Sequence, residues 1–294
     1  MAESSRYVLK KTGRAVYPLE GERIAESLFP RAPDPIPLHL LNELPIEMQR
    51  SLLRIMLPTE LLVRFGINPI NMRDKEGNLL VKVIRGEDGH AYHFEVRHAP
   101  DAEDPLVEME IADTPFGSIE VVWVSSNDPN APRFPVDVDE NGNPTYYGTV
   151  TRNIRAEIEA MKAGLAPGQV RRGLRMFGQM MGRMETLLAC LNHELYVAEP
   201  LAYHSAIIFE RHGFSYLEGE ARMRWINEEF QPGGILYKRL DGSTPFRKPE
   251  MAFTIRGRSW AIHDGILDEP WQRVRMVKRI GHNAGVDTFP GGKW

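Results

Sequence analysis

The sequence predicts an α/β protein of the α+β type, with a mixed, mostly antiparallel, twisted sheet flanked by helices. Three observations lead there. Apolar residues alternate with polar ones through residues 79–126, the period of half-buried strands. They fall at helical spacing before and after that stretch. Taken in order the segments read helix, helix, strands, helix, strand, helix, strand, which suits a sheet with helices on its faces.

Each element has its own signal. The first forty residues carry Pro18, Pro30, Pro33, Pro35 and Pro37 and read as an irregular arm. In 46–66, IEMQRSLLRIMLPTELLVRFG, Met48, Leu52, Leu53 and Met56 share one helical face. Pro58 suits the start of a second helix, with Leu61, Leu62 and Phe65 along one side and Gly66 closing it. LLVKVIRG (79–86) and HAYHFEVRH (90–98) flank Glu87-Asp88-Gly89, a hairpin signal. LVEMEIAD (106–113) and SIEVVWVSS (118–126) flank Thr114-Pro115-Phe116-Gly117, a second one. A loop rich in Gly, Pro, Asn and Asp fills 127–144. Helices follow at 152–164 and 174–191, then a short buried strand at 194–200 and a helix at 203–213 with Gly213 as its cap. FSYLEGEARMRW reads as one or two further strands. These elements divide the chain into an arm with a helical pair (1–70), a core (71–221) and a C-terminal extension (222–294) docked on the core or on a partner.

Composition excludes several classes. Hydrophobic residues at 42% and charged residues at 26% describe a chain that can build an ordinary core rather than a disordered one. Cys190 is the only cysteine, so an intrachain disulfide and a CxxC metal or redox pair are both impossible. The N-terminus lacks a signal-peptide apolar run, and no stretch approaches a membrane span. A soluble, cytoplasmic protein without membrane contact is expected. Charge is unevenly placed. Residues 99–132 hold eight carboxylates and no Lys or Arg, whereas basic side chains exceed acidic ones from Arg222 onward. Both read first as solvated surface, and second as a field that draws a charged ligand.

Two segments carry chemistry. In YHSAIIFERHGFSYLEG, Phe209-Glu210 precede Gly213-Phe214 across a helix end and the start of a strand. Upstream, GQVRRGLRMFG (168–178) places Arg171, Arg172 and Arg175 around Gly173 at the start of a helix. Free amides and the dipole at a helix N-terminus favour an anion, and glycine permits close backbone approach. Forty residues separate Gly173 from Gly213, room for about one helix, one strand and one helix with short loops.

With these blocks, residues 79–217 resemble the acyl-CoA N-acyltransferase (GNAT) superfamily. The resemblance implies that Val170, Arg171, Arg172, Gly173, Leu174 and Arg175 hold the pyrophosphate of acyl-CoA, the co-substrate, and that a small amine is the acceptor. It also implies a general base on the strand before the central helix, where Glu120 is the best match. The chain departs from the family pattern at four places. Phe209 stands where a Tyr acid is used, Ala202 where an Asn opens the helix, Val170 at the Gln/Arg position and Arg175 at the final Gly/Ala. The alternatives are a GNAT-like binding or assembly protein without transfer activity, and a His/carboxylate metalloprotein.

Other constellations are weaker. Alternation puts Glu108 and Glu110 on one strand face, and His90, His93 and His98 cluster on the neighbouring strand. His193, Glu199, His204 and Glu210 can be assembled into a metal site, but no spacing enforces it and the zincin pattern is absent, so no metal is expected. DVDENGN (137–143) resembles the opening of a calcium loop, yet the twelfth position is Gly148 rather than a bidentate Glu, which leaves an Asn-Gly turn. Trp260, Trp271 and Trp294 lie among basic residues in the extension. They read as docking residues, with a homo-oligomeric contact as one form of docking, rather than as a nucleic-acid surface.

Overall fold

A computed structural model describes residues 35–86, 89–148 and 150–294. Most of the irregular arm therefore lies outside the described residues, as do Glu87 and Asp88 of the first hairpin turn. Seven strands form one open sheet in the order β1-β2-β3-β4-β5-β7-β6. They are β1 Val81–Arg85, β2 Ala91–Val96, β3 Val107–Asp113, β4 Ile119–Ser126, β5 Leu195–Ala198, β6 Ser215–Glu218 and β7 Arg275–Arg279. All neighbours are antiparallel except β4 and β5, which run parallel.

Alternation decides which face of each strand is buried. Tyr92, Phe94 and Val96 of β2 and Val107, Met109 and Ile111 of β3 enter the core. His93, Glu95, Glu108 and Glu110 therefore share the opposite face. Over the apolar face lie α1 (Leu38–Asn42), α2 (Ile46–Met56) and α3 (Thr59–Arg64). Leu52, Ile55, Leu61 and Leu62 are almost completely buried, each worth about 1.5–3 kcal/mol relative to exposure. Polar stitches fix the layers. Tyr92 donates to the Gln49 carbonyl at 2.9 Å, while the Asn42 amide donates to the Gly89 and Ala91 carbonyls at 2.7 and 2.8 Å.

Helix α4 spans Ile154–Lys162, capped by the Asn153 side chain accepting from Ala156 N–H. The central helix α5 spans Phe177–Cys190 and buries Met180, Met181, Met184, Leu187 and Leu188, one face of a 3.6-residue period. It starts three residues after the expected Leu174, because Arg175 adopts a left-handed backbone with φ 59°. Helix α6 spans Tyr203–Arg211.

Three sequence expectations change. Leu38–Asn42 is helical within the segment read as irregular, because the Asp113 carboxylate caps it, accepting from Leu38 and His39 N–H at 2.7 and 3.2 Å. The segment read as one or two strands is a strand followed by a helix, α7 (Glu220–Glu229). Gly219 turns the chain with φ 98°, and Met223, Ile226 and Phe230 then fall on one buried face. The extension is also more than a docked tail. Its strand β7 lies between β5 and β6, so residues beyond 222 complete the sheet begun by the core. The extension further contributes α8 (Ile235–Lys238), a 3-10 turn (Pro249–Phe253) and α9 (Ile255–His263). Trp260 donates to the Leu165 carbonyl and Trp271 to the Pro200 carbonyl, both at 2.8 Å. Among the described residues no helix is long and apolar enough to cross a membrane.

Candidate functional site

Strands β4 and β5 pair over only three residues, Ile119↔Tyr196, Glu120↔Val197 and Val121↔Ala198. Two local features end the ladder. The β3–β4 register shifts between Glu110 and Ile111, leaving Val122 as an extra residue in β4, and such bulges bend a strand. Pro200 follows β5 after a single residue, Glu199, and has no N–H to donate. Beyond Val121 the strands part, and a cleft of about 1500 Å³ opens between them. That volume exceeds the roughly 300–1,000 Å³ of common small-molecule sites. The free end of β4, the 167–173 loop, the first turn of α5, one side of α6 and parts of the extension line it.

Basic loop residues do different jobs. Arg171 is a strut, its guanidinium donating to Asp104 at 2.6 Å and to the Ala131 carbonyl at 2.7 Å. Arg133 bridges Asp104 and Asp137 beside it. The Val170 and Arg172 carbonyls accept from Phe134 and Asp128 N–H, both at 2.8 Å. Gly173 does make a close approach, but to β4: a Cβ there would sit 3.0 Å from Ser126 Oγ. Leu174 N–H points to the same Oγ at 3.4 Å, and the Leu174 side chain is buried. Arg172 is exposed and 3.5 Å from Asp128, whereas Arg175 makes no ion pair among the described residues. The amides of Phe177, Gly178 and Gln179 precede the first bond of α5, Met180 N–H to the Met176 carbonyl, and so are free at the helix start. Of the expected anion-binding segment, the Arg175 end faces the cleft with free groups, and the Val170–Leu174 end is engaged by its own fold.

The expected base is displaced too. Glu120 sits mid-sheet between Ala112 and Val197 and does not line the cleft; the bulge at Val122 places the strand beyond it at the opening. Two other carboxylate–histidine pairs are at or behind the wall. Glu108 Oε1 meets His93 Nε2 at 3.1 Å, and its Oε2 accepts from Trp123 Nε1 at 2.8 Å and Ser125 Oγ at 3.3 Å. Burial pushes this carboxyl up, but hydrogen bonds from His93 and Trp123 outweigh it and hold Glu108 below its usual range. The same bond raises the His93 pKa. Trp123 in turn packs against Tyr147, the rings tilted by 36° with centres 4.8 Å apart.

The second pair lies on the opposite wall. Glu157, almost fully buried, accepts from Arg152 Nε at 3.0 Å and meets His263 Nε2 at 3.1 Å. Arg152 also reaches Asp264 at 3.0 Å. Burial raises the Glu157 carboxyl, yet hydrogen bonds from His263 and Arg152 bring it below the usual range, so it is an anion at neutral pH. Gly148 leaves room for the imidazole, since a Cβ there would lie 2.4 Å from His263 Cε1. No sequence spacing links Glu157 to His263. The His93–Glu108 pair was closer to legible, because hairpin register sets β2 against β3.

The residues grouped for a metal at His193, Glu199, His204 and Glu210 do not converge. His193 Nε2 bonds the Ile36 carbonyl at 2.9 Å. His204 Nδ1 bonds Ser259 Oγ at 2.8 Å, and burial brings its pKa down to about 4, which leaves it neutral. Glu210 accepts from Thr288 N–H at 3.0 Å, Thr288 Oγ1 at 2.6 Å and the Tyr216 hydroxyl. It ties α6 to the C-terminal segment. Phe209 packs edge-on to Phe177 at 5.5 Å, and His212 stands 4.8 Å from the same ring beside the start of α5. The 137–143 segment is a turn, closed by Asp139 N–H to the Asn143 carbonyl at 2.8 Å. No family model, curated protein or solved structure matches the chain.

Proposed function

We propose that the cleft binds acyl-CoA or a related acyl donor and transfers the acyl group to a small amine, in the manner of the GNAT superfamily. One observation carries this reading: the parallel strands β4 and β5 part after three residue pairs, and the gap opens beside the unbonded first turn of α5. A long ligand with an anionic middle suits that geometry. Its pyrophosphate meets the amides of Phe177, Gly178 and Gln179 and the Arg175 guanidinium, where free N–H groups and the helix dipole favour negative charge. Its thioester lies along the unpaired edge of β4, whose N–H groups polarise the carbonyl.

In the transfer, the neutral amine attacks the thioester carbon, a C–N bond forms, the C–S bond breaks, and the ammonium proton passes to a base. Glu108 is a poor base, since three donors already occupy its carboxylate. His263, oriented by ionised Glu157, takes the proton instead. Phe209 cannot protonate the departing thiolate, and that role falls to Nε2 of His212, the residue that caps the end of α6, whose Nδ1 bonds the Ile208 carbonyl at 2.7 Å and whose ring lies against Phe177.

Calorimetric titration with CoA and acetyl-CoA, followed by a thiol-release assay over a panel of primary amines, tests the reading. Binding of both ligands and thiol release with an amine are expected. Absence of binding at the highest soluble CoA concentration removes it. Binding without turnover favours the second reading, a non-catalytic acyl-CoA binder, whose supporting observation is the apolar Phe209 at the acid position.

A further inference from the structure

Away from the cleft, three side chains from separate elements converge where α1 meets the sheet. His39 lies on α1, His90 just before β2, and Asp113 ends β3; none of the three lines the cleft. His39 Nδ1 and His90 Nδ1 each stand 3.5 Å from the same oxygen, Asp113 Oδ2. Donor atoms of the three residues all lie within 4.8 Å of one another.

We propose that His39, His90 and Asp113 bind one divalent transition-metal ion of the zinc type, which clamps α1 to the end of the β2–β3 ladder. The spacing argues for it. A direct N–H···O bond spans about 2.7–3.2 Å, shorter than the 3.5 Å that separates His39 Nδ1 from the oxygen it faces. Zinc–ligand bonds of about 2.0–2.1 Å in a tetrahedron separate the ligands by roughly 3.3–3.4 Å, close to what is seen. Among the described residues His39 Nδ1, a buried atom, has no hydrogen-bond partner; a lone pair directed into such a site is what a metal uses. Capping of α1 explains the position of Asp113, whose oxygens accept from Leu38 and His39 N–H. It does not explain why two imidazoles converge on that carboxylate. The cap also holds the carboxylate in place, as ligating groups commonly are held.

The other such group, His93, Glu95 and Glu108, needs no ion. His93 is bonded to Glu108 at 3.1 Å and Glu95 to Arg97 at 2.8 Å. Two imidazoles and one carboxylate favour Zn²⁺, Co²⁺ or Ni²⁺ over Mg²⁺ and Ca²⁺, which prefer oxygen donors. His90 is exposed and leaves the fourth position open to water.

The test is titration of the chelator-treated full chain with Co²⁺, read by its visible ligand-field absorption, with Zn²⁺ displacement and a melting curve at each step. One equivalent of Co²⁺ giving a spectrum of tetrahedral intensity, displacement by Zn²⁺ and a rise in melting temperature are expected. His39→Ala and His90→Ala should each abolish the spectrum, whereas His98→Ala, outside the cluster, retains it. Should His39→Ala fail to fold, the exposed His90→Ala keeps the test intact. Absence of stoichiometric binding, a spectrum that survives His90→Ala, or one lost in His93→Ala overturns the assignment.

Discussion

The two halves of the sheet are built by different rules. Strands β1 to β4 follow one another in space as in sequence, each joined to the next by a short connection. In the other half β7, from late in the chain, slides between β5 and β6, and its position depends on pairing with two strands far earlier in the sequence. The cleft lies on the seam. A locally determined edge, β4, faces elements that only the completed fold can place. The charge pairs behave alike: His93–Glu108 joins neighbouring strands, whereas Glu157 and His263 lie 106 positions apart.

If the second half depends on long-range contacts, breaking its buried charge network should be the most damaging change. Glu157→Gln leaves His263 without its anion and Arg152 with Asp264 alone, around a nearly fully buried side chain. Losing one partner of a buried pair costs about 3–5 kcal/mol. Urea denaturation should show that loss, with Glu108→Gln costing less because the Glu108 side chain is 23% exposed and that of Glu157 2%. Equal losses would erase the distinction between the two halves.

Gly219→Ala probes the same seam at the turn between β6 and α7. At φ 98°, with a Cβ 2.6 Å from the Arg273 carbonyl oxygen, alanine is both strained and crowded. A cost of about 1–3 kcal/mol is expected from the backbone conformation, more if β7 cannot shift. Gly117→Ala, in the β3–β4 turn, has φ 74° and open space around it, so it should cost less. Hydrogen exchange should place the added opening of Gly219→Ala in β6 and β7 and leave β1 to β3 protected.

The boundary between what could and could not be read from sequence follows the same seam. Both hairpins were legible because alternation and turn residues act within a dozen positions. Helix α7 was missed because Gly219 hides the change of period between a four-residue strand and the helix after it. The place of β7 was missed because RMVKR (275–279) carries no signal for which strands it will join. At the site, the 168–178 segment could be located, but not that Arg171 would be spent on Asp104. Nor could the bulge at Val122 be seen, which leaves Glu120 in the sheet and opens the cleft beyond it.

Different pH responses separate the halves with a smaller effect. The His93 pKa is raised by its bond to Glu108, so its contribution is complete below the unfolded histidine value, about 6.5, and is lost as pH rises through the raised folded value. The Glu157 pKa is lowered overall. Its contribution is therefore present above the ordinary carboxylate range and is lost as pH falls through the lower folded value. Amide exchange followed from acid to mildly alkaline pH should loosen β2–β3 but not α4–α9 on the alkaline side, and both regions on the acid side, where the Glu108 carboxyl is lowered as well. Alkaline loosening of α4–α9 ahead of β2–β3 would mean that the two pairs do not support the regions in which they sit.

The smallest expected effect concerns the point where the loop enters α5. Arg175 holds φ 59°, a left-handed conformation that costs a non-glycine residue roughly 1–2 kcal/mol. Glycine adopts it freely but loses about 0.5–1 kcal/mol through its larger unfolded-state entropy, so Arg175→Gly should stabilise the chain by no more than about 1 kcal/mol. Arg175→Ala keeps the strained backbone and removes only the cation, and its stability should match that of the parent. Ligand binding turns this pair into a test of roles. If the guanidinium meets the pyrophosphate, both variants lose CoA affinity to a similar extent, about 1–3 kcal/mol for a charge-assisted hydrogen bond. If the left-handed turn matters because it aims the α5 amides, Arg175→Ala retains affinity and Arg175→Gly, free to leave that conformation, loses it. Calorimetry on the two variants beside their denaturation curves distinguishes a charge that binds from a bend that positions.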